Sequence, residues 1–144
     1  MNKRFFDHIR STLAINPDPH SAAVSPNRLA SFGYALAGLL HMFRYAKNVR
    51  IQGLAAVIVF ALAAWLDFGR VEWSILVIMV SLNFLAEFLN AAVEAAVNLA
   101  TTEYHPMAQV AKDVAAGAAL LMALTSVLVG LLLFAEPLWN KLHE

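Results

Sequence analysis

The chain has 144 residues, 60% of them hydrophobic and 14% charged, with 10 Lys and Arg against 10 Asp and Glu and no Cys. Soluble domains carry roughly 45–50% apolar and about 25% charged residues, so a soluble globule this small would leave much apolar area in water, and a mean hydropathy of +0.64 excludes disorder. Balanced charge removes the electrostatic basis for nucleic-acid binding, and the lack of Cys removes disulfides, thiolate metal sites and cysteine nucleophiles; the class left is an integral membrane protein.

Residues 1–27 read as an extension and linker. Met1 to Leu13 lacks the continuous apolar core of a signal peptide, and Pro17-Asp18-Pro19 and Ser25-Pro26 are turn-rich. Over 28–47 the pattern becomes helical, because Leu29, Phe32, Leu36, Leu39, Leu40 and Phe43 recur at three- and four-residue spacing between Arg28 and the pair Arg44 and Lys47. A helix of this kind is expected to lie in the membrane interface. Three apolar stretches then follow at about 51–68, 73–98 and 113–135, each near the ~20 residues that cross a ~30 Å hydrocarbon core. Asp67 to Glu72 forms a polar turn between the first two, and Thr101 to Pro106 stops the second. The expected fold is all-α: a surface helix followed by three transmembrane helices.

Lys and Arg are retained on the cytoplasmic side. Lys3, Arg4, Arg10, Arg28, Arg44, Lys47, Arg50 and Lys112 fall on one side and only Arg70 and Lys141 on the other, which predicts a cytoplasmic N-terminus and an outer C-terminus. Trp65, Trp73 and Trp139 fall near outer span ends, as interfacial aromatics do.

The second span is the informative one. At about 100° per residue, Asn83, Glu87, Asn90, Glu94 and Asn98 share an arc of roughly 80° on one helical face. An ionised carboxylate in hydrocarbon costs at least ~2.5–3.5 kcal/mol, so something must meet the stripe. Asn83 alone reads as an interhelical hydrogen-bonding residue, with Ala91, Ala92, Ala95 and Ala96 allowing close approach. For Glu87 and Glu94 an uncharged residue would serve structure at lower cost. Paired carboxylates suit a proton acceptor beside a ligand for a divalent cation that neutralises phosphate. Carboxylates in a span are also a transport signal, but that leaves unexplained Lys112, a cation on the same membrane side able to face phosphate, and Asp113, expected where the third span begins.

The run Glu87-x-x-Asn90-x-x-x-Glu94-x-x-x-Asn98, then Glu103-Tyr104-His105-Pro106 and Ala111-Lys112-Asp113-Val114-Ala115-Ala116-Gly117-Ala118, with Gly33-Tyr34 and Asn48-Val49-Arg50-Ile51 upstream, resembles the small membrane lipid kinases of bacteria, the prokaryotic diacylglycerol kinase and undecaprenol kinase family. The resemblance covers about Arg28 to Ala135, within a kinase domain of 28–144. It implies a homotrimer in the bacterial inner membrane with active sites shared between protomers, ATP as co-substrate, Mg²⁺ as cofactor, and a membrane lipid alcohol as acceptor. It implies Glu87 as general base, Asn90 as the residue orienting the reacting groups, Glu94 and Asn98 toward the metal, Lys112 toward phosphate, and Asp113 and Tyr34 toward the nucleotide. The chain has no P-loop or kinase Gly-rich loop, and phosphoryl transfer needs chiefly positioning and charge neutralisation.

Two positions depart from the family pattern. Ala46 stands where a Glu is usual and Asn98 where an Asp is usual, each removing a charge from a site that holds a dication. Ala35 likewise replaces a surface-helix Ser. The departures keep a second reading open, a member that binds lipid or nucleotide without catalysis. His105-Pro106 and the Ala-Lys-Asp-Val-Ala-Ala-Gly-Ala stretch look closer to the undecaprenol kinase branch, with diacylglycerol as the rival acceptor.

Overall fold

The computed structural model describes residues 14 and 27–143. Among them stand four helices and no strand: α1 (Arg28–Tyr45), α2 (Lys47–Trp65), α3 (Arg70–Ala100) and α4 (Pro106–His143). Helices α2, α3 and α4 are long and apolar enough to cross a membrane, so the chain is an all-α membrane protein with a preceding helix. The expected extension and linker, except Ala14 and Asn27, lie outside the described residues, as does Glu144.

Asn27 opens α1 by accepting the Leu29 N–H on its side-chain oxygen at 3.0 Å, the usual satisfaction of an orphan donor at a helix start. The large apolar residues that set the α1 periodicity, Leu29, Phe32, Leu36, Leu39, Leu40 and Phe43, are exposed on the protomer. A boundary between two compact units falls inside this helix, between Leu39 and Leu40. Past it, the Phe43 ring meets Phe84 of α3 with centroids 5.7 Å apart. Gly53 makes room for that ring, since a Cβ there would come within 3.2 Å of Phe43 Cε1.

Ala46 alone separates α1 from α2; its backbone is extended (φ −86°, ψ 112°) and offers no side-chain cap to the helix that follows. Nineteen residues make up α2, about 28 Å at 1.5 Å per residue, which matches the hydrocarbon thickness. The longer α3 and α4, of 31 and 38 residues, exceed it.

The α2–α3 turn is a Schellman motif. Phe68 N–H bonds Ala63 O at 3.1 Å and Asp67 N–H bonds Ala64 O at 3.3 Å, with Asp67 at φ 54°, where Gly is usual. These bonds satisfy the last carbonyls of α2 before the chain reverses, and so end the helix at Trp65 although the apolar run continues to Phe68. The Phe68 ring then packs on Phe134 of α4, 4.7 Å between centroids.

The interior is thin: among the described residues the buried apolar ones are Val49, Ala63, Leu66 and Leu76. Helix α4 lies mainly against α3, and α2 meets α3 more sparsely. Among the described residues many large apolar side chains, such as Leu54, Val57, Leu124 and Leu131, are exposed, a surface that only lipid or further protein can cover.

The largest departure from the expected boundaries is at α4. Its start is Pro106 rather than residue 113, because Pro at the first helical position needs no N–H partner and His105 caps the turn: its Nδ1 accepts Met107 N–H at 3.2 Å, and its carbonyl accepts Gln109 N–H at 3.1 Å. Asp113 therefore lies within α4, about two turns from the helix start, and not at its beginning.

Left-handed backbone at Asp67 carries a steric cost for any residue with a Cβ and most for a β-branched one. Asp67→Val should lower stability in detergent by about 1 kcal/mol or more, while Asp67→Gly should keep it. Thermal unfolding of the two variants checks this; equal effects would remove the argument.

Candidate functional site

Exposure along the α3 stripe is lowest at Glu87 and rises from there toward the α3–α4 connection. Glu87 is buried at 8% exposure, Asn83 and Asn90 are half-buried, and Glu94 and Asn98 are exposed. Glu87 is the buried charged residue among the described residues.

What meets Glu87 is Asn48, whose Nδ2 donates to Glu87 Oε1 at 2.9 Å. Asn48 is the second residue of α2, next to Val49 at 0% exposure, whose burial anchors the first turn. The amide hydrogens at the start of α2, without a side-chain cap, add a positive dipole end that favours a nearby anion. Sequence reasoning had Asn48 only as part of a motif. The partners stand 39 residues apart, and a register between two apolar helices leaves no mark in either one.

This bond also sets the depth of the site. Lys47 and Arg50 flank Asn48, and α2 spans one hydrocarbon thickness from there to Trp65. Glu87 therefore lies level with a membrane interface, and residues 88–100 extend roughly 20 Å past it. The stripe crosses from the edge of the hydrocarbon into water, with Glu94 about 10 Å and Asn98 about 16 Å beyond Glu87 along the axis.

A second group forms where α3 ends. Lys112 Nζ donates to Asn98 Oδ1 at 2.7 Å, clasping α4 to α3 across a polar cleft of about 570 Å³ lined also by Thr101, Tyr104, Gln109 and Asp113. The connection is tied locally: Thr101 Oγ1 accepts Glu103 N–H at 3.1 Å and donates to Glu103 O at 3.2 Å, and Tyr104 O–H donates to Gln109 Oε1 at 3.0 Å. The bond joins the Lys112 amine to a neutral amide rather than to a carboxylate.

Of the sequence-predicted residues, Asn98, Lys112 and Asp113 thus share one cleft, while Glu87 and Asn90 lie further along the same face of α3 and Glu94 stands between. Tyr34 lies in the other compact unit, 69% exposed. Asn83 Oδ1, expected to bond between helices, is buried without a partner.

Among the described residues no three His, Asp or Glu cluster as a metal cage. The stripe offers Glu94 as an exposed carboxylate and Asn98 as an amide oxygen that already accepts from Lys112. Such a set suits Mg²⁺ arriving with a nucleotide, since that ion is commonly held by one or two carboxylates with phosphate oxygens and waters completing the octahedron.

Removing the donor to a buried carboxylate leaves its desolvation uncompensated, at about 1–3 kcal/mol or more. Asn48→Leu should lower stability by that amount, and Asn48→Leu combined with Glu87→Leu should recover most of it. Thermal unfolding of the four proteins of this cycle is the check, and simple additivity would deny the coupling.

The chain matches the prokaryotic diacylglycerol kinase family over residues 33–134. It is 40% identical over 116 residues to a diacylglycerol kinase of Synechocystis sp., an alignment covering 80% of this chain and 66% of that protein. It is 35% identical over 108 residues to an undecaprenol kinase of Bacillus subtilis, covering 75% of this chain and 88% of that one. The diacylglycerol kinase of Escherichia coli is 31% identical over 108 residues, 75% of this chain and 85% of that protein. With a buried carboxylate at a membrane interface, a polar stripe leading from it into water and a match over most of its length, the chain belongs to the prokaryotic diacylglycerol kinase family.

Proposed function

We propose that the chain transfers the γ-phosphate of ATP to the hydroxyl of a membrane lipid alcohol, diacylglycerol or undecaprenol, at the cytoplasmic face of the bacterial inner membrane. The observation that carries this reading is Glu87, a carboxylate buried level with a membrane interface and held by one amide donor. An acceptor hydroxyl that stays in the interface meets a base there without leaving the bilayer.

In the proposed reaction Glu87 takes the hydroxyl proton as the acceptor oxygen bonds the γ-phosphorus. The bond from that phosphorus to the β,γ-bridging oxygen breaks, and ADP leaves with its electron pair. Asn48 holds one oxygen of Glu87 and so fixes the direction of the other. Asn90, one turn along the same face, orients the reacting groups. Lys112 and the water-exposed end of the stripe receive the polyphosphate. The distance from Glu87 to the Asn98–Lys112 cleft, roughly 16 Å along α3, suits an extended ligand reaching between them, with Asp113 toward the nucleotide; a nucleotide role for Tyr34 rests on the family resemblance alone. When bound, Mg²⁺ supplies neutralisation of the phosphate oxygens, and Glu94 with Asn98 would hold it.

The assembly is a homotrimer with shared sites in this reading. It draws on the outward-facing apolar surfaces of α2–α4 and on Glu94 and Asn98, which a single protomer leaves uncovered. The basic residues flanking α1 and α2 support a cytoplasmic N-terminus and an outer C-terminus.

Ala46 and Asn98 favour a second reading, a member that binds lipid or nucleotide without catalysis. Purified protein with labelled ATP, Mg²⁺ and a panel of diacylglycerol and polyprenol acceptors decides. Label should enter lipid only with Mg²⁺, and Glu87→Gln should reduce transfer at least about a hundredfold. No transfer to any acceptor contradicts catalysis. Activity that appears only in the double variant Ala46→Glu with Asn98→Asp supports the second reading, and comparable activity before and after that change removes it.

A further inference from the structure

The junction of α1 and α2 carries charge of one sign. No Asp or Glu occurs between Asp18 and Asp67, and position 46, where the family pattern has Glu, is Ala. Around it stand Arg44 in the last turn of α1 and Lys47 and Arg50 in the opening turn of α2. All three are exposed and belong to the compact unit that begins at Leu40. Among the described residues none of them pairs with a carboxylate; the Arg44 guanidinium sits over the exposed Tyr45 ring, 5.3 Å from its centroid.

Next to these cations α2 turns an apolar face outward. At about 100° per residue, Lys47, Arg50, Ile51, Leu54, Val57 and Ile58 share an arc of roughly 120°. The four apolar side chains are more than half exposed, whereas Val49 and Ala63, buried on the protomer, lie on the opposite side of the helix. Trp65 falls on the same arc, about 27 Å from Lys47. The face therefore runs one hydrocarbon thickness, with cations at one edge, an aromatic ring at the other and no polar side chain between Arg50 and Trp65.

An occupant of this face needs an anion at the interface and hydrocarbon beside it. A soluble anion leaves the apolar stripe unmet. A second copy in the same orientation brings no free acid to that level, since Glu87 is held by Asn48 and Glu94 stands about 10 Å further out along α3. A zwitterionic phospholipid carries its own cation beside its phosphate, and the junction repels it. An anionic phospholipid meets both demands: its phosphate faces the Arg and Lys side chains, and an acyl chain lies along Leu54 and Val57.

We infer that the α1–α2 junction binds an anionic phospholipid, on the side of α2 turned away from Asn48 and Glu87, and that Ala46 makes the site possible. A carboxylate at position 46 would stand between Arg44 and Lys47 and take up their charge. The lipid bound here is neither acceptor nor nucleotide; it holds the start of α2 at the interface by its headgroup.

The test is a lipid titration of the full protein, read by native mass spectrometry, with phosphatidylglycerol and phosphatidylcholine of the same chains. Wild type should bind the first phosphatidylglycerol at least about fivefold more tightly than phosphatidylcholine, and Arg44→Gln, Lys47→Gln, Arg50→Gln together should bring that ratio to about one. Two variants that keep every cation separate lost binding from lost folding: Ala46→Glu should cut the preference severalfold, and Ala46→Gln should leave it intact. Arg70→Gln, at the other end of the spans, should also leave it intact. Equal binding of the two lipids by wild type, a preference that survives Ala46→Glu, or an equal loss in Arg70→Gln overturns the site. Displacement of the lipid by glycerol phosphate at matched concentration also overturns it, in favour of a soluble anion. The chain has no Cys, so a nitroxide on Val57→Cys reports this face alone. In bilayers it should be mobile and open to oxygen, and an immobilised, oxygen-shielded nitroxide would mean that another copy covers the face and would overturn the lipid assignment.

Discussion

The hydrogen bond from Asn48 Nδ2 to Glu87 Oε1 joins two helices where the hydrocarbon begins, and the arrangement of the other site residues follows from it. A carboxylate with little access to water must be compensated or lose its charge. Here the compensation comes from an amide on the first turn of α2 and from the dipole of that turn. Because α2 is one hydrocarbon thickness long, fixing its start against Glu87 fixes which part of α3 is wet. Everything from Asn90 outward then leads into water, and everything from Asn83 inward lies in the bilayer.

That division lets one helix serve two solvents. In the proposed reaction a soluble polyanion approaches Glu94, Asn98 and Lys112 from the aqueous side, while a lipid reaches Glu87 from within the membrane. The tied connection between α3 and α4 supports the wet end. His105 and Pro106 start α4 early, which brings Lys112 back along the last turns of α3 to meet Asn98. The protomer buries few apolar residues, so its helices are ordered by these polar clasps, by turn geometry and by the ring contact of Phe68 with Phe134, together with whatever lipid or protein covers the outer faces.

Much of this was legible in the sequence. Three apolar runs gave the spans, and helical periodicity put Glu87, Asn90, Glu94 and Asn98 on one face. Local chemistry at helix ends was harder to read. The run to Phe68 looked like span, yet the left-handed Asp67 ends α2 at Trp65. The polar residues after Pro106 masked a helix that begins there, which moved Asp113 into its interior. Contacts between helices were invisible, because Asn48 with Glu87 and Lys112 with Asn98 depend on antiparallel registers set by three-dimensional packing.

The central claim is that Asn48 holds the Glu87 carboxylate at the membrane interface. Solid-state nuclear magnetic resonance on the full chain in bilayers, with the Asn48 side-chain nitrogen and the Glu87 carboxyl carbon labelled, measures it most directly. The account predicts a through-space correlation between the two nuclei, with Glu87 close to lipid glycerol protons and remote from chain-terminal methyl protons. A Glu87 carboxyl without correlation to Asn48, or one lying near the methyl ends at the bilayer centre, would contradict it.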